Sequence, residues 1–129
     1  MNLLRNPAHM AVMVAVLLAG ACGGDATDPA PVVTGFPCNV QAIIKAKCQT
    51  CHTDPPRNGA PVHILNYADT QVVAPDDHSK KIWEFMEIYI TSGFMPFMGS
   101  PTGPLTDAEK ATMLAWLKGG PVASTAACP

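Results

Sequence analysis

Apolar residues recur at helical spacing in three stretches of this chain, and no stretch shows convincing strand alternation. In the first, Val40, Ile43, Ile44 and Lys47 fall at i, i+3, i+4 and i+7. Pro37 and Asn39 open that stretch, and the spacing predicts a helix over about 39–50. In the second, Ile82, Phe85, Met86, Tyr89 and Ile90 keep the same period. Asp76, Asp77 or Ser79 is expected to cap its start, and Gly93 lies just past its end. The third opens on Thr106-Asp107-Ala108-Glu109, a capping box with Thr106 as N-cap and Glu109 at N3. Met113, Trp116 and Leu117 give that helix an apolar face, and Lys118-Gly119 ends it. The expected fold class is all-α.

Residues 53–75 separate the first two helices. Pro55, Pro56, Gly59 and Pro61 break any helix there, and a loop of that length in a small domain signals function or disorder. At the other end of the chain, residues 1–22 read as an export signal. Arg5 supplies the positive start, 11–18 is an apolar run too short to span a bilayer, and small residues lead to Cys22. Residues 23–36 are rich in Gly, Pro and small polar residues and read as a flexible linker. The folded domain is expected over 37–129.

Composition narrows the function classes. Removal of the signal leaves 7 basic and 10 acidic residues, with no basic stripe, which argues against nucleic acid as a partner. The apolar run of the signal has no second copy, so no further membrane span is expected. A domain this small has a limited core and benefits from covalent or cofactor staples.

The chemistry lies in Cys48-Gln49-Thr50-Cys51-His52. Two cysteines three apart with a histidine directly after the second form the attachment motif of a c-type haem. Each thiol adds to one vinyl group of the porphyrin, and the histidine reaches the iron from the same turn. A thioredoxin-like dithiol would need a βαβ context, which is missing. A structural zinc site would need two further ligands; His63 and His78 are available, but Cys38 and Cys128 are not paired at short spacing.

The other three cysteines follow. Cys22 stands where a bacterial lipoprotein carries its lipidated cysteine, although Ala19 occupies the place of the usual leucine and Leu18 lies one residue earlier. A soluble form cut near Ala21 or Ala26 is the alternative. Cys38 and Cys128 remain, and in an exported chain they are expected to form a disulfide rather than two free thiols. Such a bridge would close a loop of roughly 90 residues, which the chain-entropy account values at about 4–5 kcal/mol.

An iron held by His52 has one axial position left. Met86, Met95, Met98, Met113, His63 and His78 are the candidates. Met86 and Met113 sit on apolar helix faces, where a methionine is usually core. Met95 and Met98 lie in the loop Gly93-Phe94-Met95-Pro96-Phe97-Met98-Gly99.

The order of helix, Cys-x-x-Cys-His, irregular loop, helix, Met-Pro loop and capped C-terminal helix resembles a monohaem class I cytochrome c domain over about residues 37–120. The resemblance implies a small helical domain wrapped around one covalent haem c, with His52 and Met95 as axial ligands. It implies that a proline carbonyl accepts the other N–H of His52, with Pro61 the first choice and Pro55 and Pro56 alternatives. It also implies that the first and last helices cross, setting Trp116 and Leu117 against Val40, Ile43 and Ile44. The second methionine, Met98, and the Cys38/Cys128 pair are departures from the family pattern. The expected function is electron transfer, without enzymatic chemistry, to redox partner proteins of the cell envelope. The expected location is the periplasmic side, either lipid-anchored through Cys22 or soluble. The alternative is an open-site haem protein, peroxidase-like or gas-sensing, in which Met95 does not bind. A weaker third reading is a docking module of a larger envelope complex.

Overall fold

Pro37 starts the first helix: its carbonyl accepts the Gln41 N–H at 2.8 Å, closing the first turn where proline itself lacks a donor. The computed structural model describes residues 35–129. Helix α1 (Cys38–Ile43) runs directly into a π-helical turn (Ile44–Cys48), in which the Gln49 N–H reaches back five residues to the Ile44 carbonyl at 3.0 Å. Three further helices follow: α2 (Tyr67–Gln71), α3 (Ile82–Ser92) and α4 (Asp107–Leu117). Among the described residues, β-type pairing is confined to two isolated bridges, Gly35 with Ser124 and Val73 with Lys81. The described chain is therefore all-α.

The helix ends follow from local hydrogen bonding. At α4, Thr106 Oγ1 accepts the Glu109 N–H at 3.2 Å and Glu109 Oε2 accepts the Thr106 N–H at 2.8 Å, the reciprocal box expected from the sequence. At α3 the start differs from the expectation. Lys81 is the first flanking residue, and Glu84 Oε2 accepts its N–H at 2.7 Å. Asp77 is held in the turn before, accepting from Ser79 N–H at 2.9 Å, Ser79 Oγ at 2.6 Å and Lys80 Nζ at 3.0 Å. Those donors, the Ser79 hydroxyl first, hold its carboxyl well below the usual range. Gly93 ends α3 with φ of 75°, a left-handed conformation that favours a residue without Cβ.

Helix α2 lies inside the stretch expected to be loop. Asn66 Oδ1 accepts the Asp69 N–H at 3.3 Å, and Asp69 Oδ2 accepts the N–H groups of Leu65 and Asn66 at 2.7 and 3.0 Å. These bonds nucleate a turn that its length alone would not sustain.

The core joins the three longer patterns. Val40, Ile43 and Ile44 of the first helix meet Met113 and Leu117 of α4, with Ile82, Met86 and Ile90 of α3 completing the cluster. The first and last helices pack together, with Leu117 in one cluster with Val40, Ile43 and Ile44, and α3 packs on α4. Ile44, Met113 and Leu117 have no exposed surface, and burial of each such side chain stabilises the fold by about 1.5–3 kcal/mol.

The folded unit begins before residue 37. Phe36 is buried and meets Trp116 edge-to-face at 5.6 Å between ring centroids, so the apolar residue ending the expected linker belongs to the core. The C-terminal strap crosses the same region. Tyr67 Oη donates to the Pro121 carbonyl at 2.8 Å, Trp116 Nε1 to the Val122 carbonyl at 3.0 Å, and Ser124 N–H to the Gly35 carbonyl at 2.9 Å. A disulfide between Cys38 and Cys128, with Cα atoms 5.2 Å apart, closes the strap. The expected signal at 1–22, Cys22 and the linker up to residue 34 lie outside the described residues. No helix among the described residues is long and apolar enough to cross a membrane.

Candidate functional site

The motif begins where the π-helical turn ends. The Cys48 carbonyl accepts two N–H groups, from Cys51 at 3.1 Å and from His52 at 2.9 Å. One helical turn thus carries both thiols and the imidazole. Gln49 ties this turn to the following loop, its Nε2 donating to the carbonyls of Ile64 and Leu65 at 3.0 and 3.3 Å. Asn58 Nδ2 lies 3.5 Å from Cys51 Sγ.

His52 is oriented by backbone. Its Nδ1 lies 2.8 Å from the Val62 carbonyl oxygen. A carbonyl only accepts, so Nδ1 carries the proton and Nε2 keeps its lone pair for a metal. The acceptor expected at Pro61, Pro55 or Pro56 is thus Val62. The reason is register: the Ile64 N–H donates to the His52 carbonyl at 2.9 Å, and this pairing brings the carbonyl two residues earlier onto the ring. Pro61 still borders the site.

A cavity of about 780 Å³ opens beside the motif. Its volume lies in the range of about 300–1,000 Å³ seen for cofactor and small-molecule sites. Cys48, Cys51 and His52 line it together with Met95, and Ile82, Phe85, Met86, Ile90 and Met113 supply much of its apolar wall. Met95 is set by backbone: after Gly93 turns the chain, the Met95 N–H donates to the Tyr89 carbonyl at 3.1 Å. Met98 does not border the cavity and is 85% exposed. Met86 and Met113 are buried in the core as well as lining the cavity.

The two candidate histidines stand elsewhere. His63 is exposed, with Nε2 3.4 Å from Asp69 Oδ1, and His78 is exposed with Nε2 3.1 Å from the Pro75 carbonyl. Neither borders the cavity. No group of three or more His, Cys, Asp or Glu side chains among the described residues is arranged to hold a metal ion, which leaves a four-ligand zinc site without its second pair. Burial, with the Cys51 thiol adding to it, pushes the Cys48 thiol up to about 11. That is the reverse of the lowered value a dithiol redox catalyst uses.

The residues present fit the haem that the motif implies: two thiols and an imidazole with a free Nε2 on one turn, a thioether on a backbone-anchored loop, and an apolar cavity between elements that carry them. Compared with family models, curated proteins and solved structures, the chain matches none of them.

Proposed function

We propose that this chain is an electron carrier of the class I cytochrome c type, with one haem c bound through Cys48 and Cys51 and ligated by His52 and Met95. The observation that carries the reading is that the Cys-x-x-Cys-His turn and Met95, but not Met98, border one apolar cavity. The bound haem supplies an iron that alternates between ferrous and ferric states.

The residues of the chain do the rest. Cys48 and Cys51 fix the group covalently. His52 presents Nε2, its ring orientation set by the Nδ1–H bond to the Val62 carbonyl. The Met95 thioether, which lines the same cavity, would be the second protein ligand to the iron and would favour its ferrous state. Apolar walls keep water from the site, which raises the potential further. If His52 and Met95 both held the iron, an electron would pass without any exchange of ligand and no position would be left for a substrate.

Cys22 and the apolar run before it support an exported, lipid-anchored protein on the periplasmic side of the envelope, whose partners are other redox proteins there. The test is expression together with haem-attachment machinery. Haem stain should stay with the chain on a denaturing gel, and the oxidised and reduced spectra should be low-spin. Haem that leaves on acid-acetone extraction would refute covalent attachment. A wild-type protein that is high-spin and binds carbon monoxide freely would instead establish the open-site alternative.

A further inference from the structure

The loop from Met95 to Leu105 has two hydrogen-bonded attachments to the rest of the described protein. One is the Met95 N–H on the Tyr89 carbonyl. The other is Lys47, the residue before the motif. Its Nζ donates to the carbonyls of Thr102 at 3.0 Å and Pro104 at 3.1 Å, and its own carbonyl accepts from Thr102 Oγ1 at 3.3 Å. The remaining bonds of the loop are internal, such as Ser100 N–H to the Phe97 carbonyl at 2.8 Å and Gly103 N–H to the Ser100 carbonyl at 3.0 Å. They shape the loop but do not fasten it.

We infer that Lys47 is a positioning residue that clamps the Met95-bearing loop to the motif helix, and so sets how firmly Met95 stays on the iron. The inference rests on the haem reading proposed above. Its physical basis is the ammonium of a Lys47 side chain that is only 17% exposed, shared between two loop carbonyls more than fifty residues away in sequence. Bonds from a charged donor are stronger than neutral ones and strengthen with burial. Glu109 Oε2 lies 3.9 Å from the same ammonium, at the edge of ion-pair range, and already accepts the Thr106 N–H. The carbonyls are therefore the closer partners. Removal of the ammonium leaves the loop fastened only by the Met95 N–H and by the neutral bond from Thr102 Oγ1 to the Lys47 carbonyl, and any opening at the Met95 end directly withdraws the thioether.

The probe is imidazole added to the ferric holoprotein, which competes with Met95. Lys47→Met keeps the stem and removes the donors. It should bind imidazole about 10- to 100-fold more tightly, the equivalent of one charge-assisted hydrogen bond. Lys47→Arg, which can donate to both carbonyls, should stay near wild type. Thr102→Val should move the affinity in the same direction by less. Unchanged affinity in Lys47→Met overturns the inference, and so does a Glu109→Gln variant that reproduces the whole effect, since that variant spares the carbonyl clamp. If Lys47→Met yields no holoprotein, Thr102→Val decides, and an affinity within about twofold of wild type overturns the clamp. A wild type that binds imidazole without losing a thioether signature refutes Met95 ligation itself, an outcome distinct from a failed clamp.

Discussion

His52 Nδ1 and the Val62 carbonyl oxygen stand 2.8 Å apart, and this contact fixes the direction in which the imidazole presents Nε2. The bond fixes both tautomer and ring plane, because the carbonyl belongs to a segment pinned by the Ile64 N–H on the His52 carbonyl. The His52 ring N–H should therefore appear in nitrogen-edited NMR spectra as a single resonance that exchanges slowly with solvent. Its absence, with a fast-exchanging ring, would mean that Val62 does not hold the histidine.

Cys48 gives a second prediction, for the chain without haem. Burial raises its thiol to about 11 from 9.0. The neutral thiol is the unreactive form, so alkylation of Cys48 in the folded chain should stay slow at pH 7–8 and accelerate only toward pH 11. The stability consequence has a definite sign. The folded chain keeps this proton where the unfolded chain has lost it, so the contribution is complete below about pH 9 and is lost as pH rises from 9.0 to about 11. Thiol-specific mass labelling across that range, read beside denaturant midpoints, checks both. Rapid labelling of Cys48 at pH 7 would contradict the burial.

The Cys38–Cys128 disulfide closes the strap that also holds Phe36 and Trp116. The sequence separation is 90 residues, and loss of a native bridge in a small domain costs about 2–5 kcal/mol. The double variant Cys38→Ala/Cys128→Ala should lose that much in denaturant unfolding. Since Cys38 opens α1 and the strap's Ser124 N–H donates to the Gly35 carbonyl, protection from hydrogen exchange should fall first at Ser124, ahead of α3. Free thiols at both positions in wild-type protein folded under oxidising conditions would refute the bridge.

What was legible in the sequence depended on whether a signal was local. The α4 cap was legible because Thr106 and Glu109 satisfy each other within one turn. The apolar period placed α1 and α3, since burial of one face needs no knowledge of the partner. Helix α2 was missed because five residues carry too little period, although Asn66 and Asp69 form a box of the same kind as Thr106 and Glu109. The start of α3 was misplaced because Asp77 and Ser79 have good capping chemistry but use it on each other. The His52 acceptor fell on Val62, not Pro61, because a one-residue register in an irregular loop is set by the distant pairing of Ile64. Phe36 looked like linker because its partner, Trp116, is eighty residues on. The clamp at Lys47 left no local trace at all, since its acceptors are backbone carbonyls.

The choice between Met95 and Met98 is the sharpest test of the proposed function. The two lie three residues apart in one loop, and sequence favours Met95 only through Pro96, which restricts the residue before it to extended geometry. Their settings differ far more than their spacing suggests. Met95 is partly buried, borders the cavity and has its N–H on the Tyr89 carbonyl; Met98 is 85% exposed and precedes Gly99, whose φ is 95°. Met95→Ala should therefore abolish the thioether-to-iron absorption in the far red, open the site to carbon monoxide, and lower the reduction potential, since loss of Met ligation disfavours the ferrous state. Met98→Ala should leave all three as in wild type and change stability by no more than about 0.5 kcal/mol, as expected for an exposed side chain. A larger effect at Met98 would move the ligand while keeping the cytochrome reading. Loss of none of these signals in either variant would mean that the thioether comes from another methionine lining the cavity, Met86 or Met113, and would move the ligand off this loop.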